Sequence, residues 1–123
     1  HPVDRRQRQM CIRDRGGTMR LGSYDCDIVT GSKAFSVYRK KKISERHRHR
    51  FEVNNKYVSK MEKNGLTFSG TNKKLGVVEI IELKDHPWFV GCQFHPELKS
   101  RVDKAHPLFR EFVKASLKNS KKY

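Results

Sequence analysis

Apolar positions change period several times along this 123-residue chain, and each change marks an element. Near the start, "GGTMRLGSYDCDIV" is a glycine-rich entry that leads into a strand expected over Tyr24 to Val29. "SKAFSVY" follows as a short helix opened by Ser32 as N-cap. "ERHRHRFEV" alternates, which puts Arg46, Arg48 and Arg50 on one face of an extended segment and His47, His49, Phe51 and Val53 on the other. Residues 54 to 64 have Tyr57, Val58 and Met61 at helical spacing, with Asn54 or Asn55 as cap and Gly65 as the left-handed stop. Two strands, "LTFSG" and "LGVVEIIEL", flank the polar turn "TNKK", and the second is apolar on both faces as a buried strand requires. A further strand is expected from Trp88 to Phe94. The last element is the helix "HPLFREFVKASL", with Pro107 in its first turn and Leu108, Phe109, Phe112, Val113 and Leu117 as its buried stripe. Pattern alone therefore gives a mixed α/β domain ending in a helix.

Composition adjusts that picture at the ends and in one central run. Residues 1 to 15, "HPVDRRQRQMCIRDR", hold five arginines and little that can pack, so they are expected to be unstructured or foreign to the rest. The final six residues, 118 to 123, read as a basic disordered tail. The net charge is +15, and seven Lys or Arg against one Glu lie in "RKKKISERHRHR", residues 39 to 50. So basic a chain could be a nucleic-acid-binding module, with that run on phosphates and Phe51 or Tyr38 stacked on a base. The blander expectation, a solvated charged face, is preferred for Arg46, Arg48, His47 and His49. No run of 18 apolar residues exists to cross a membrane. Three widely spaced cysteines, Cys11, Cys26 and Cys92, suggest neither a disulfide framework nor a zinc site, which fits a reducing, cytoplasmic setting. The His47–His49 pair is not read as a metal site, because no third ligand is near and the flanking arginines repel a cation.

The candidate chemistry lies in "HPWFVGCQFHPE", residues 86 to 97, where an apolar run ends on His95, Pro96 and Glu97. A histidine and a carboxylate at i and i+2 of an extended segment point to the same side. The carboxylate can then fix the imidazole tautomer and leave the other ring nitrogen free to take a proton from a nucleophile. On its own so short a motif is more often a strand-end turn with a solvated histidine.

Six blocks together carry more: "GGTMRLG" (16 to 22), "ERHRHRFEVNN" (45 to 55), "GL" (65 to 66), "VEIIEL" (78 to 83), "HPWFVGCQFHPE" and "HPLFREF" (106 to 112). In this order and spacing the segment from Gly16 to about Leu117 resembles the CTP synthase family, in the C-terminal part of its glutamine amidotransferase domain of the Cys-His-Glu triad type. The resemblance implies a flavodoxin-like α/β domain with a mostly parallel central sheet, here incomplete. It also implies a reaction in which ATP phosphorylates the uracil O4 of UTP and ammonia from glutamine displaces the phosphate to give CTP. In that setting His95 is the general base, Glu97 its orienting carboxylate, and Arg50 the ligand of the glutamine substrate. An arginine fork suits an α-carboxylate because it can give two parallel charge-assisted hydrogen bonds.

Two expected features are missing. The family's nucleophile sits in a Gly-x-Cys-x-Gly turn, and no such turn occurs here; Cys92 lies an odd number of residues from His95 and is expected in the core. No Gly-x-x-x-x-Gly-Lys-Ser/Thr phosphate loop occurs either. The expectation is a fragment, inactive alone, that binds no cofactor; ATP, Mg2+, UTP and a homotetramer are implied for the whole enzyme only. A glutaminase-type subunit that takes its cysteine from a partner chain is the other alternative. Near the site, Leu98 stands where an aromatic is usual and Val102 where proline is frequent, departures that concern packing. A fragment of this kind should also leave a sheet edge and an apolar face uncovered.

Overall fold

The structure is a computed structural model that describes residues 11 to 13 and 20 to 121. Its strands are β1 (Cys11–Arg13), β2 (Arg20–Ile28), β3 (Lys42–His49), β4 (Phe51–Val53), β5 (Leu66–Asn72), β6 (Val77–Leu83) and β7 (Val90–Cys92). Its helices are α1 (Lys33–Tyr38), α2 (Val58–Lys63) and α3 (Pro107–Ser120), with 3-10 turns at Asn55–Tyr57 and Pro96–Leu98. One sheet has the order β3-β2-β5-β6-β7, and β1 pairs with β4 in a separate ribbon.

Every pairing in both sheets is antiparallel, which corrects the mostly parallel sheet that the family resemblance implied. The reason is local. For β5, β6 and β7 the short connections at 73–76 and 84–89 require reversal, since a parallel return needs a long crossover; β2 and β3 run antiparallel although a helix joins them. Across β2 and β3 the register sets Arg20 opposite His49 and Gly22 opposite His47. A bulge displaces the β5–β6 register around Gly70, where a Cβ would lie 2.7 Å from the Ile80 side chain.

The core lies between the sheet and helices α1 and α3: Cys26, Ile28, Ala34, Val37, Ile43, Ile80, Phe94 and Leu108, with Phe35, Tyr38, Trp88 and Val90 packed against them. Helix α1 starts where expected, because the Ser32 hydroxyl accepts from the Phe35 N–H at 3.1 Å. A second, unforeseen cap is the buried Glu82 carboxylate of β6, which accepts from the Lys33 and Ala34 N–H groups at 2.8 and 3.2 Å. A carboxylate there meets the positive end of the helix dipole and satisfies two otherwise orphaned donors. Another buried carboxylate, Glu45 of β3, accepts from the Tyr38 hydroxyl at 2.6 Å and also binds His106 Nε2. His106 Nδ1 accepts from the Leu108 N–H, so one imidazole both caps α3 and ties it to β3. Tyr38, offered above as a stacking residue for nucleic acid, is thereby committed.

Four expectations about packing need correction. On α3 only Leu108 of the predicted stripe is buried; Phe109, Phe112, Val113 and Leu117 are exposed because no described element covers that side. The helix also runs to Ser120, so residues 118 to 120 are helical. Cys11–Arg13, in the segment expected to lack structure, pair with Phe51–Val53, whose edge offers free backbone partners. The alternation in "ERHRHRFEV" breaks at Arg50, where a bend turns Phe51 outward and Glu52 into the interior. Leu98 and Val102 are both exposed, so the departures noted there disturb no packing within the described residues.

Candidate active site

After β7 the chain is pinned twice by backbone bonds, from the Gln93 N–H to the Glu79 carbonyl and from the His95 N–H to the Arg46 carbonyl, both 2.9 Å. Pro96, at the first position of the 3-10 turn Pro96–Leu98, then redirects the chain. His95 and Glu97 do meet, with Nδ1 2.9 Å from Oε2, but across this turn and not along an extended segment as the spacing suggested. The strand itself stops at Cys92, and the turn that Pro96 opens brings the Glu97 carboxylate back to the ring.

Both groups are open to solvent, with 39% and 59% of the side-chain surface exposed. The hydrogen bond from His95, and then the backbone N–H of Glu97 itself, hold the Glu97 carboxyl below the usual carboxylate range. An ionised Glu97 only accepts, so Nδ1 of His95 carries the proton and Nε2 of the neutral ring keeps its lone pair for a substrate or nucleophile. That is the arrangement a general base and its orienter require.

Arg50 stands apart from this pair. It occupies the bend between β3 and β4, is exposed, and its side chain has no hydrogen bond or ion pair among the described residues. The link between the two is β3 itself: Arg46, which holds His95, precedes Arg50 by four residues, roughly 13 Å of extended strand. Arg46 and Arg48 are exposed, as a solvated face requires, but His47 is not.

His47 belongs to a buried ionic cluster that sequence reading missed. Arg20 Nη1 lies 3.0 Å from Glu52 Oε1 and 2.7 Å from Glu79 Oε1. Glu79 Oε2 lies 2.8 Å from His47 Nε2, His47 Nδ1 is 2.9 Å from His49 Nε2, and His49 Nδ1 is 3.0 Å from the Phe51 carbonyl. The two Glu79 contacts are close but off the hydrogen-bond line, so they act as ion pairs. Burial works against the Arg20 charge, yet Glu79 and Glu52 outweigh it and hold the guanidinium pKa above its ordinary value. Burial raises the Glu52 carboxyl, with Arg20 pulling it back. The available signal was the pair of glutamates inside the apolar run "VVEIIEL", which a buried strand tolerates only with partners.

The thiols are placed differently from expectation. Cys26 is in the core, whereas Cys92, expected there too, is exposed on the edge strand β7. The β7 strand is too short to be covered on both faces. Burial by its neighbours, with Glu45 next in weight, still pushes the Cys92 thiol up to about 12, and burial with Glu79 does the same for Cys26. The Cys92 thiol donates toward the Phe94 carbonyl at 3.4 Å. Neither described cysteine has the lowered pKa of an activated nucleophile.

A cleft of about 710 Å³ beside Tyr38, Glu45 and His106 contains none of His95, Glu97 or Arg50. Among the described residues no three His, Cys, Asp or Glu side chains converge as a metal site, and no helix is long and apolar enough to cross a membrane.

The family model for class I glutamine amidotransferases matches residues 4–115, beginning ahead of Gly16. The chain is 60% identical over 114 residues to a CTP synthase of Chlorobium phaeobacteroides, covering 93% of this chain and 20% of that protein. It is 57% identical over 116 residues to a CTP synthase of Bdellovibrio bacteriovorus, covering 94% of this chain and 22% of the relative. Among solved structures, the glutaminase domain of a Trypanosoma brucei CTPS with bound acivicin superposes with a TM-score of 0.79 at 32% identity, covering 85% of this chain and 43% of that one. The chain thus spans about a fifth of the length of the curated relatives it matches. With the family model covering nearly all of its length and a glutaminase domain sharing its fold, the chain belongs to the class I glutamine amidotransferase family.

Proposed function

We propose that this chain is part of a CTP synthase and contributes the base, the orienting carboxylate and a substrate-binding arginine to its glutamine-hydrolysing site. The observation that carries the reading is the His95–Glu97 contact at 2.9 Å, with the opposite ring nitrogen free. Nε2 of His95 takes the proton of a cysteine thiol supplied by sequence outside these residues. The thiolate attacks the glutamine carboxamide carbon, and His95 returns the proton to the departing ammonia. Water then cleaves the thioester to glutamate by the same base. Arg50 holds the α-carboxylate. The ammonia serves the ATP-dependent amination of UTP, carried out by parts of the protein outside these residues.

Identity of 60% to a named CTP synthase and likeness to a CTPS glutaminase domain support this reading. Without the nucleophile the 123-residue chain should release no ammonia from glutamine above a buffer blank, since losing a triad member costs about three to six orders of magnitude. A longer protein containing this segment should convert UTP to CTP with glutamine, ATP and Mg2+. Glutamine hydrolysis by the 123-residue chain at enzyme-like rates, or no CTP from the longer protein, would sink the proposal.

A further inference from the structure

The contacts that run from Glu79 to the Phe51 carbonyl impose a proton count. His49 Nδ1 faces a carbonyl oxygen at 3.0 Å, which only accepts, so that nitrogen carries a proton. The His47–His49 contact at 2.9 Å needs one proton between two nitrogens, no more and no fewer. His47 Nε2 lies 2.8 Å from a carboxylate oxygen, where a lone pair would repel and a proton attracts. Four ring nitrogens therefore hold three protons, which is one positive charge shared by two imidazoles. With Arg20 as the second cation and Glu52 and Glu79 as anions, the buried cluster then sums to zero, as a site closed to water requires.

We propose that His47 and His49 act as a one-charge relay that positions Arg50. The bond from His49 Nδ1 to the Phe51 carbonyl reaches across Arg50, so it closes the bend that turns this side chain out of β3. A fourth proton sets N–H against N–H at the His47–His49 contact, and a missing third leaves a lone pair against Glu79 or against the other ring. Either change loosens the bend. The charged and titratable groups facing the pair are Arg20 and Tyr24 from β2, Glu52 from β4, 3.5 Å from His49 Nδ1, and Glu79 from β6. Burial lowers the His49 pKa, with the bond to the Phe51 carbonyl pulling it back up. The functional consequence rests on the reading of Arg50 as the glutamine ligand: orientation of substrate would depend on this buried charge state.

Long-range proton–nitrogen NMR of the labelled 123-residue chain tests the relay without glutamine. At neutral pH His49 Nδ1 should carry a proton, and the two rings together should carry three. On acidification the Arg50 and Phe51 amide signals should shift with the midpoint of His49, which lies below its ordinary 6.5. In His49→Gln the side-chain amide can still donate to Phe51 but holds no titrating charge, so that shift should vanish; if this variant does not fold, the wild-type titration decides alone. His49 found as the Nε2–H tautomer, or Arg50 signals indifferent to its titration, would overturn the relay. An unchanged glutamine KM in Arg50→Ala of the longer protein would instead overturn the role given to Arg50.

Discussion

Replacing Arg20 by methionine removes the cation between two carboxylates that have almost no contact with solvent. Glu52 and Glu79 are 1% and 0% exposed at their side chains, and Arg20 Nη1 lies within 3.0 Å of both. Methionine keeps much of the volume, so cavity effects are small and the change is electrostatic. Breaking a buried pair from one side costs about 3–5 kcal/mol, against about 5–15 kcal/mol of total stability for a domain. Loss of the Arg20 contact over the Tyr24 ring, at 4.3 Å, adds to this by an amount on the order of 0.5–1 kcal/mol. With a urea slope on the order of 1.5 kcal/mol per molar, the unfolding midpoint should drop by about 2–4 M. The pH dependence has a definite sign. Burial already raises the Glu52 carboxyl and Arg20 pulls it back, so without Arg20 its folded pKa rises further above the unfolded one, and the variant's deficit should be smallest at acid pH and grow as pH rises through that value. Adding Glu52→Gln alone to Arg20→Met should recover most of the loss, because Glu79 then faces the one charge shared by His47 and His49 and the cluster again sums to zero. A midpoint shift worth less than about 1 kcal/mol, as for an exposed salt bridge, would refute the reasoning and mean that water reaches the cluster.

Three further outcomes are expected. Gly70→Ala places a methyl 2.7 Å from Ile80 and 2.8 Å from the Cys26 sulfur inside the core, and should cost about 1–3 kcal/mol in denaturant unfolding; a neutral effect would mean Ile80 can yield. The 123-residue chain should self-associate through the exposed Phe109, Phe112, Val113 and Leu117 of α3, and Phe112→Glu with Leu117→Lys should reduce its sedimentation coefficient to the monomer value; a wild-type chain that sediments as a monomer contradicts this. At pH 8 Cys26 and Cys92 of the folded chain, followed site by site by mass spectrometry, should react with a thiol reagent far more slowly than in the urea-unfolded chain, because both thiols are pushed up to about 12; labelling of Cys92 at the free-cysteine rate would mean that its surroundings do not raise its pKa.

Local chemistry was legible in the sequence wherever one residue decides one bond. Ser32 caps α1, Asn54 caps the turn before α2, and Gly65 adopts the left-handed conformation that ends it, all as the residue types dictate. The meeting of His95 with Glu97 was legible too, although Pro96 makes it through a turn. What sequence could not show was partnership at a distance. Glu45, Glu52, Glu79 and Glu82 read as ordinary polar positions, yet each is buried against groups from other elements. Arg20 and Glu79 are far apart in the chain and meet only because β2 and β6 flank β5. The stripe on α3 failed for the opposite reason: periodicity reports which face is apolar, and burial needs an element to cover it. The parallel sheet came from the family resemblance, while the described strands are antiparallel, β5 to β7 because short connections join them.

The most direct test is His95→Ala in the longer protein that contains this segment, with CTP formation measured from glutamine and, separately, from free ammonium. If the His95–Glu97 pair serves glutamine hydrolysis, glutamine-supported turnover should fall by about a thousandfold or more while ammonium-supported turnover stays within roughly twofold. Equal loss with both nitrogen sources, or glutamine turnover that survives the substitution, would contradict the role given to this pair.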